Sequence, residues 1–234
     1  MRMLASAMNL ERDGAAIVRG YLDEEALGRT VDTIEIAFAY LVSGQGDQTV
    51  RDFWDSVGVV TLASLNRCGV ASEPARELSS LLEWEANRLL GPSYLLADHC
   101  SIRRMYEKSI RLEWHTDYDG GGTSGYDPCY IIWLPLTAVG INQPSVEIVR
   151  GSHRRTRDLP FPSPHNGQFP DEWVARYFAP AARVTPKLAP GDALVLDHRT
   201  LHRTQVLNGA ALGRTSIECR VTQHAAYLAA LPNG

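Results

Sequence analysis

A β-sandwich or barrel flanked by helices is the fold class that this 234-residue sequence predicts, and three observations predict it. From Tyr94 onward, short runs rich in β-branched and aromatic residues alternate with Gly, Pro and Asn, the rhythm of strands joined by turns. Before Tyr94, apolar residues recur at helical spacing in two long stretches. No repeat, low-complexity tract or linker separates these regions, so residues 1–234 are expected to form one domain, with a helical part (1–92) packed on a β core (93–223).

The first helix is expected over 23–44, where Asp23 can cap, two glutamates fill the first turn, and Leu27, Val31, Ile34, Phe38 and Leu41 recur on one face. The second is expected over 72–90: Pro74 lies near its start, Leu78, Leu81, Leu82 and Leu89 form its stripe, and Gly91-Pro92 ends it. Strands follow over 94–106, 110–117, 129–137, 145–149, 193–197, 204–207 and 214–223. That succession suits a jelly roll. Residues 151–190 break the rhythm with seven prolines and one short helical candidate, 171–178. A long insert inside a compact domain points to function, and this one is expected to act as a lid.

Composition excludes several classes. Hydrophobic residues make up 44% and charged residues 21%, the balance of an ordinary folded domain and not of a disordered chain. A net charge of −4 gives no support for nucleic acid or membrane surface as a partner. Cys68, Cys100, Cys129 and Cys219 show no Cys-x-x-Cys spacing and are expected to be reduced thiols. Residues 1–10 are followed too soon by charge for a signal segment, and no apolar run is long enough to span a bilayer, so a cytoplasmic location is expected.

The chemistry concentrates in the second half. In Trp114-His115-Thr116-Asp117-Tyr118, strand alternation turns His115 and Asp117 to the same side, where both can reach one ion. A second imidazole, His202, lies 202 − 115 = 87 residues on, a separation that suits strands facing each other across a sandwich. Two imidazoles and one carboxylate leave other metal positions open, the arrangement of non-heme Fe(II) oxygenases. His198, four residues before His202, is a rival ligand by spacing. After 214 − 202 = 12 residues, room for a turn at Asn208-Gly209, come Arg214 and Ser216 on one strand face. A guanidinium fork plus a hydroxyl can hold a carboxylate. Arg220 competes on the same parity.

Trp114-His-Thr-Asp117, Val149-Arg-Gly-Ser-His-Arg154, Pro190-Gly-Asp-Ala-Leu-Val-Leu196, His202-Arg-Thr204 with Asn208, and Arg214 occur in an order that resembles the phytanoyl-CoA dioxygenase family of Fe(II)/2-oxoglutarate oxygenases. The similarity covers roughly the second half of the chain. It implies a double-stranded β-helix of the jelly-roll, cupin-like type, with Fe(II), 2-oxoglutarate and O2 as cofactor and co-substrates and a small molecule as substrate. It also implies that His115, Asp117 and His202 hold the metal, that Arg214 and Ser216 hold 2-oxoglutarate with Thr204 assisting, and that oxidative decarboxylation to succinate and CO2 drives attack on a C–H bond. Halogenating relatives carry a small non-ligating residue where this chain has Asp117, so the carboxylate points to hydroxylation or a related oxidation. The family usually reads Pro-Gly-Ser-His where this chain has Arg150-Gly-Ser-His153, and Asn-Gly where it has Asn142-Gln143-Pro144; both departures bear on substrate class.

Candidates for substrate contact are Glu113, Arg104, Tyr118, His153 and Trp173. Glu113 and Arg111 share the parity of His115 and either face the pocket or pair with each other. Gly120-Gly121-Gly122 between Tyr118 and Tyr126 is either a flap or a tight turn. The basic run Arg150, His153, Arg154, Arg155 and Arg157 either attracts an anionic substrate or is solvated surface. Phe161, Phe169, Trp173 and Tyr177 either cap an apolar substrate or anchor the long loop. Two further functional classes stay open at this level: a non-catalytic metal-binding or sensor protein of the same shape, and a metal oxygenase that does not use 2-oxoglutarate. Oligomeric state is not legible.

Overall fold

A computed structural model describes residues 8–43, 58–66, 72–95, 100–105, 111–118, 126–160, 168–207 and 214–223. In chain order the elements are α1 (Leu10–Asp13), β1 (Ala15–Val18), α2 (Glu24–Val42), β2 (Val59–Thr61), α3 (Leu62–Asn66), α4 (Ser72–Leu90), β3 (Ser93–Leu95), β4 (Ser101–Arg104), β5 (Trp114–His115), β6 (Cys129–Pro135), β7 (Val146–Val149), β8 (Gln168–Phe169), α5 (Asp171–Tyr177), β9 (Arg183–Val184), β10 (Ala193–Asp197), β11 (His202–Thr204) and β12 (Thr215–Gln223).

The strands form two antiparallel sheets. The larger runs β1-β10-β6-β12-β4-β2, with β3 also paired to β12; the smaller runs β8-β5-β11-β7-β9. Chain-distant strands are thus neighbours throughout, as a jelly roll requires. The two long helices form where the apolar spacing placed them. Asp23 caps α2 by accepting from Ala26 N at 2.8 Å, and α4 stops at Gly91, whose φ of +79° suits glycine.

Strand β12 shows how layering follows from alternation. Ile217, Cys219 and Val221 face the helices and join Ile34, Phe38, Leu78 and Leu82 of α2 and α4 with Ile102, Ile132 and Leu134 of the sheet in one buried cluster. The N-terminal helices and the strands therefore share a core. Between the sheets, Ile131, Trp133, Leu194 and Leu196 meet Val146 and Ile148. A third cluster, Trp114, Val149, Phe169, Trp173, Val174, Phe178 and Leu201, covers the outer side of the small sheet.

Two expectations are revised. The N-terminal part is not only helical: β1 and β2 supply the two edges of the large sheet, because Ala15–Val18 are matched against Leu196–Ala193 and Val59–Thr61 against Arg103–Ser101. The strand expected at 204–207 lies at 202–204 instead. The described part of 151–190 is woven into the small sheet, with β8 paired to β5 and β9 to β7; its helix α5 lies close to the expected 171–178. Its described strands lie at the two borders of the small sheet. Asn208-Gly209, Gly120–Gly122, Phe161 and Cys68 lie outside the described residues. Cys100, Cys129 and Cys219 are buried free thiols. Among the described residues no helix is long and apolar enough to cross a membrane.

Ile217 is fully buried at the centre of β12, opposite Leu134 and Ile102. Truncation to alanine should destabilise the fold by about 2–5 kcal/mol, read as a lower denaturant midpoint with an unchanged slope.

Candidate metal centre

The pairing of β5 with β11 sets His202 directly opposite His115, with ring centroids 4.2 Å apart. His202 is therefore a neighbour within the small sheet and does not face His115 across the interior, as the spacing had suggested. Asp117 also arrives by another route. Strand β5 ends at His115, and Asp117 lies in the turn that follows, closed by Tyr118 N donating to His198 O at 2.9 Å. The donor atoms of His115, Asp117 and His202 all lie within 4.8 Å of one another.

The environment prepares all three for a cation. His115 Nδ1 lies 2.7 Å from the Glu113 carbonyl and His202 Nδ1 2.9 Å from the Thr200 carbonyl. A carbonyl only accepts, so Nδ1 carries a proton in both rings, which leaves Nε2 as the nitrogen able to bind a metal. Thr200 is itself held by its hydroxyl, which donates to Gly14 O at 2.7 Å, and Leu201 N donates to Ser152 Oγ at 2.8 Å. The strand carrying His202 is thus tied to the N-terminal segment and to the Gly151-Ser152 turn. Burial, with a further contribution from His202, lowers the His115 pKa to about 4, so at neutral pH this ring is uncharged. Burial opposes ionisation of Asp117, but Arg220 and then the imidazoles outweigh it and hold the carboxyl below its ordinary range. Since His115 is neutral near pH 7, Arg220 is the main counter-charge: its Nη2 donates to Asp117 Oδ1 at 2.5 Å. Two imidazole nitrogens and one carboxylate oxygen fit a divalent transition metal.

A pocket adjoins this cluster, lined by His115 and His202 from the small sheet and by Arg214 and Ser216 from β12 and the residue just before it, with Thr204 at its side. Arg214 is 3% exposed. Its Nη1 donates to Pro144 O at 2.9 Å, its Nε has no hydrogen-bond partner, and no carboxylate pairs with it among the described residues. Burial, with Arg103 nearby and Glu218 opposing, pushes its pKa down to about 9. A buried cation in this condition is stabilised by an incoming anion. The Thr204 hydroxyl accepts from Leu112 N at 3.2 Å, so its proton is available to a pocket acceptor.

The other candidates are placed elsewhere. His198 is buried with Nε2 3.7 Å from Asp127 and the Tyr118 ring edge-on at 5.1 Å, outside the ligand cluster. Arg220 meets Asp117 and does not line this pocket. Arg104, one residue out of phase with Arg103, turns to the helix side, where it pairs with Glu35 and lies over Phe38. The Glu113 side chain is exposed; its contribution is the carbonyl that orients His115. His153 meets the Glu11 carbonyl, and Arg154 and Arg155 donate to Arg12 O and Tyr177 O, so the basic run ties segments together. Trp173 is buried on the outer side of the small sheet and donates to Pro160 O. What sequence reading missed is the support: Arg220, Thr200, Ser152 and Gly14. Arg220 had a signal in its parity with Arg214 and Ser216, and Ser152 in the Val149–Arg154 stretch; Thr200 and Gly14 had none.

The buried imidazole gives a pH signature. A folded-state pKa for His115 below its unfolded value means that the unfolded chain binds the extra proton first. Stability of the metal-free protein should therefore fall as pH drops from about 6.5 towards 4. His115→Asn should flatten that part of the profile, as measured by chemical denaturation at each pH.

No curated protein matches the chain by sequence. Among solved structures, the non-heme 2-oxoglutarate-dependent epimerase SnoN of nogalamycin biosynthesis is 22% identical, covering 92% of this chain and 80% of its own, with a TM-score of 0.63. The carbocyclase SnoK of the same biosynthesis is 17% identical over 96% of this chain and 89% of its own, TM-score 0.64. EctD from S. alaskensis, crystallised with 2-oxoglutarate and 5-hydroxyectoine, is 17% identical over 93% and 74%, TM-score 0.59. These likenesses establish the fold. The phytanoyl-CoA dioxygenase (PhyH) family matches residues 10–210, which takes in the small sheet, every strand of the large sheet but β12, and His115, Asp117 and His202, and the chain belongs to that family.

Proposed function

We propose that the protein is an Fe(II)- and 2-oxoglutarate-dependent oxygenase that hydroxylates a small metabolite or natural-product intermediate. One observation carries this reading: a single pocket joins the His115, Asp117 and His202 cluster to a buried guanidinium that lacks a carboxylate partner among the described residues. Iron, when bound, supplies the oxidative decarboxylation of 2-oxoglutarate with O2 to succinate and CO2 and the oxidising power directed at the substrate. The chain's residues bind and orient. His115, Asp117 and His202 hold the ion; Arg214 takes the far carboxylate of 2-oxoglutarate, with Ser216 and Thr204 donating hydroxyl hydrogen bonds. Trp133 and Val146 also line the pocket and keep water from the reacting groups.

Belonging to the family supports the enzyme class, and the solved relatives with iron or 2-oxoglutarate support the cofactor set. Those relatives include an epimerase and a carbocyclase beside a monooxygenase. The carboxylate at position 117 favours hydroxylation over halogenation, because it fills the metal position that a halide would need.

Anaerobic Fe(II) with 2-oxoglutarate should give a visible charge-transfer band in the wild type and none in His115→Ala. Arg214→Ala should raise the 2-oxoglutarate dissociation constant about 10- to 100-fold, the loss of one or two charge-assisted hydrogen bonds. In air the wild type should form succinate slowly without substrate. No band with fully loaded iron, or no succinate, rejects the assignment. With substrate, a product heavier by one oxygen atom separates hydroxylation from ring closure and epimerisation.

A further inference from the structure

Asp117 is the candidate ligand that the strand ladder does not hold. β5 ends two residues before it, and the turn carrying it is closed at Tyr118. Its alignment comes from a side chain on the opposite sheet. Arg220, on β12, reaches across the sandwich and donates from Nη2 to Asp117 Oδ1 at 2.5 Å; the same Nη2 lies 2.8 Å from Glu218 Oε1. The second carboxylate oxygen, Oδ2, is 3.4 Å from His202 Nε2, on the side of the ligand cluster. The two oxygens of Asp117 therefore have different surroundings: one engaged by a guanidinium, the other beside the imidazoles.

Glu218 addresses an electrostatic difficulty. A guanidinium in contact with a ligand carboxylate orients it but also withdraws charge from it and repels a cation. A second carboxylate on the same guanidinium offsets that charge, and Asp117, Arg220 and Glu218 are all mostly shielded from solvent, at 2%, 15% and 19% side-chain exposure. Screening by water is weak there, so the offset matters.

We propose that Arg220 is a positioning residue for the metal centre: it fixes Asp117 through Oδ1 and leaves Oδ2 for the cation, while Glu218 orients Arg220 and balances its charge. The proposal rests on reading His115, Asp117 and His202 as metal ligands. Partners that orient a ligand typically contribute 10- to 100-fold in metal affinity. Arg220 would act only through Asp117, and Glu218 only through Arg220.

The test uses the full-length metal-free protein and Mn(II) as probe, followed by electron paramagnetic resonance. Arg220→Gln should raise the Mn(II) dissociation constant about 10- to 100-fold. Arg220→Lys, which keeps the charge without the fork, should recover part of the loss. Glu218→Gln should weaken binding in the wild-type background and add nothing to Arg220→Gln, the non-additivity expected of residues in one chain of contacts. A folded Arg220→Gln protein, with wild-type circular dichroism, that binds Mn(II) within about twofold of wild type would overturn the proposal, since the partner effect should be larger. If Arg220→Gln does not fold, unchanged affinity in both Arg220→Lys and Glu218→Gln would overturn it equally. Wild-type protein that fails to bind Mn(II) rejects the metal centre itself, a different outcome from normal wild-type binding with insensitive variants.

Discussion

The register between two very short strands governs the site. β5 has two residues and β11 three, yet their one matched pair is His115 with His202. A slip of one residue would bring Arg203 to that place and turn both rings away from each other. The register is pinned from several sides. β7 pairs with β11 through Ile148, Glu147 and Val146, and Thr204 exchanges hydrogen bonds with Leu112 beyond the end of β5. On the outer face, Arg203 lies 4.4 Å over the Trp114 ring and pairs with Glu147 and Asp171, while Trp114 Nε1 donates to Asp171 at 2.7 Å. The polar groups that face the pocket are thus fixed by aromatic and ionic contacts on the opposite side of the same strands.

A divided strand reconciles a charged interior with a stable fold. β12 and the residue before it carry Arg214, Ser216, Glu218 and Arg220 towards the space between the sheets, and Ile217, Cys219 and Val221 towards the helices. Charges held out of water weaken a fold unless each finds a partner. The apolar cluster behind the large sheet supplies the stability, and the space between the sheets can then hold charged groups suited to an ion and a dicarboxylate. This explains why the helices, remote from the candidate centre, share a core with the strand that lines the pocket.

Much of this was legible in the sequence. The two helices were marked by apolar spacing and caps, because helical periodicity is a local property. Strands β6, β7, β10 and β12 were marked by β-branched runs. β1, β2, β8 and β9 were not, since two to four residues are too few to show a period and their pairing partners lie far along the chain. The residues of the candidate centre were visible as types in a familiar order, but the reason given for their convergence was partly mistaken. Asp117 reaches the cluster through a turn, and His202 through the sheet. Arg104 and Trp173 show the limit of parity: a single break of phase at β4, or a helix seated on the outer face, turns a plausible contact away from the pocket. The supports of the ligands, Thr200 on Gly14 and Leu201 on Ser152, depend on hydrogen bonds between distant segments that no local pattern announces.

Both sheets end in minimal borders. Among the described residues, the outermost strands are four and three residues long in the large sheet and two residues each in the small one. Unsatisfied peptide groups along a sheet border are what recruit foreign chains into cross-chain pairing. Described borders this short give a second molecule little template to extend, so the large sheet can keep apolar inner strands such as β6 and β10 at low risk of edge-to-edge pairing.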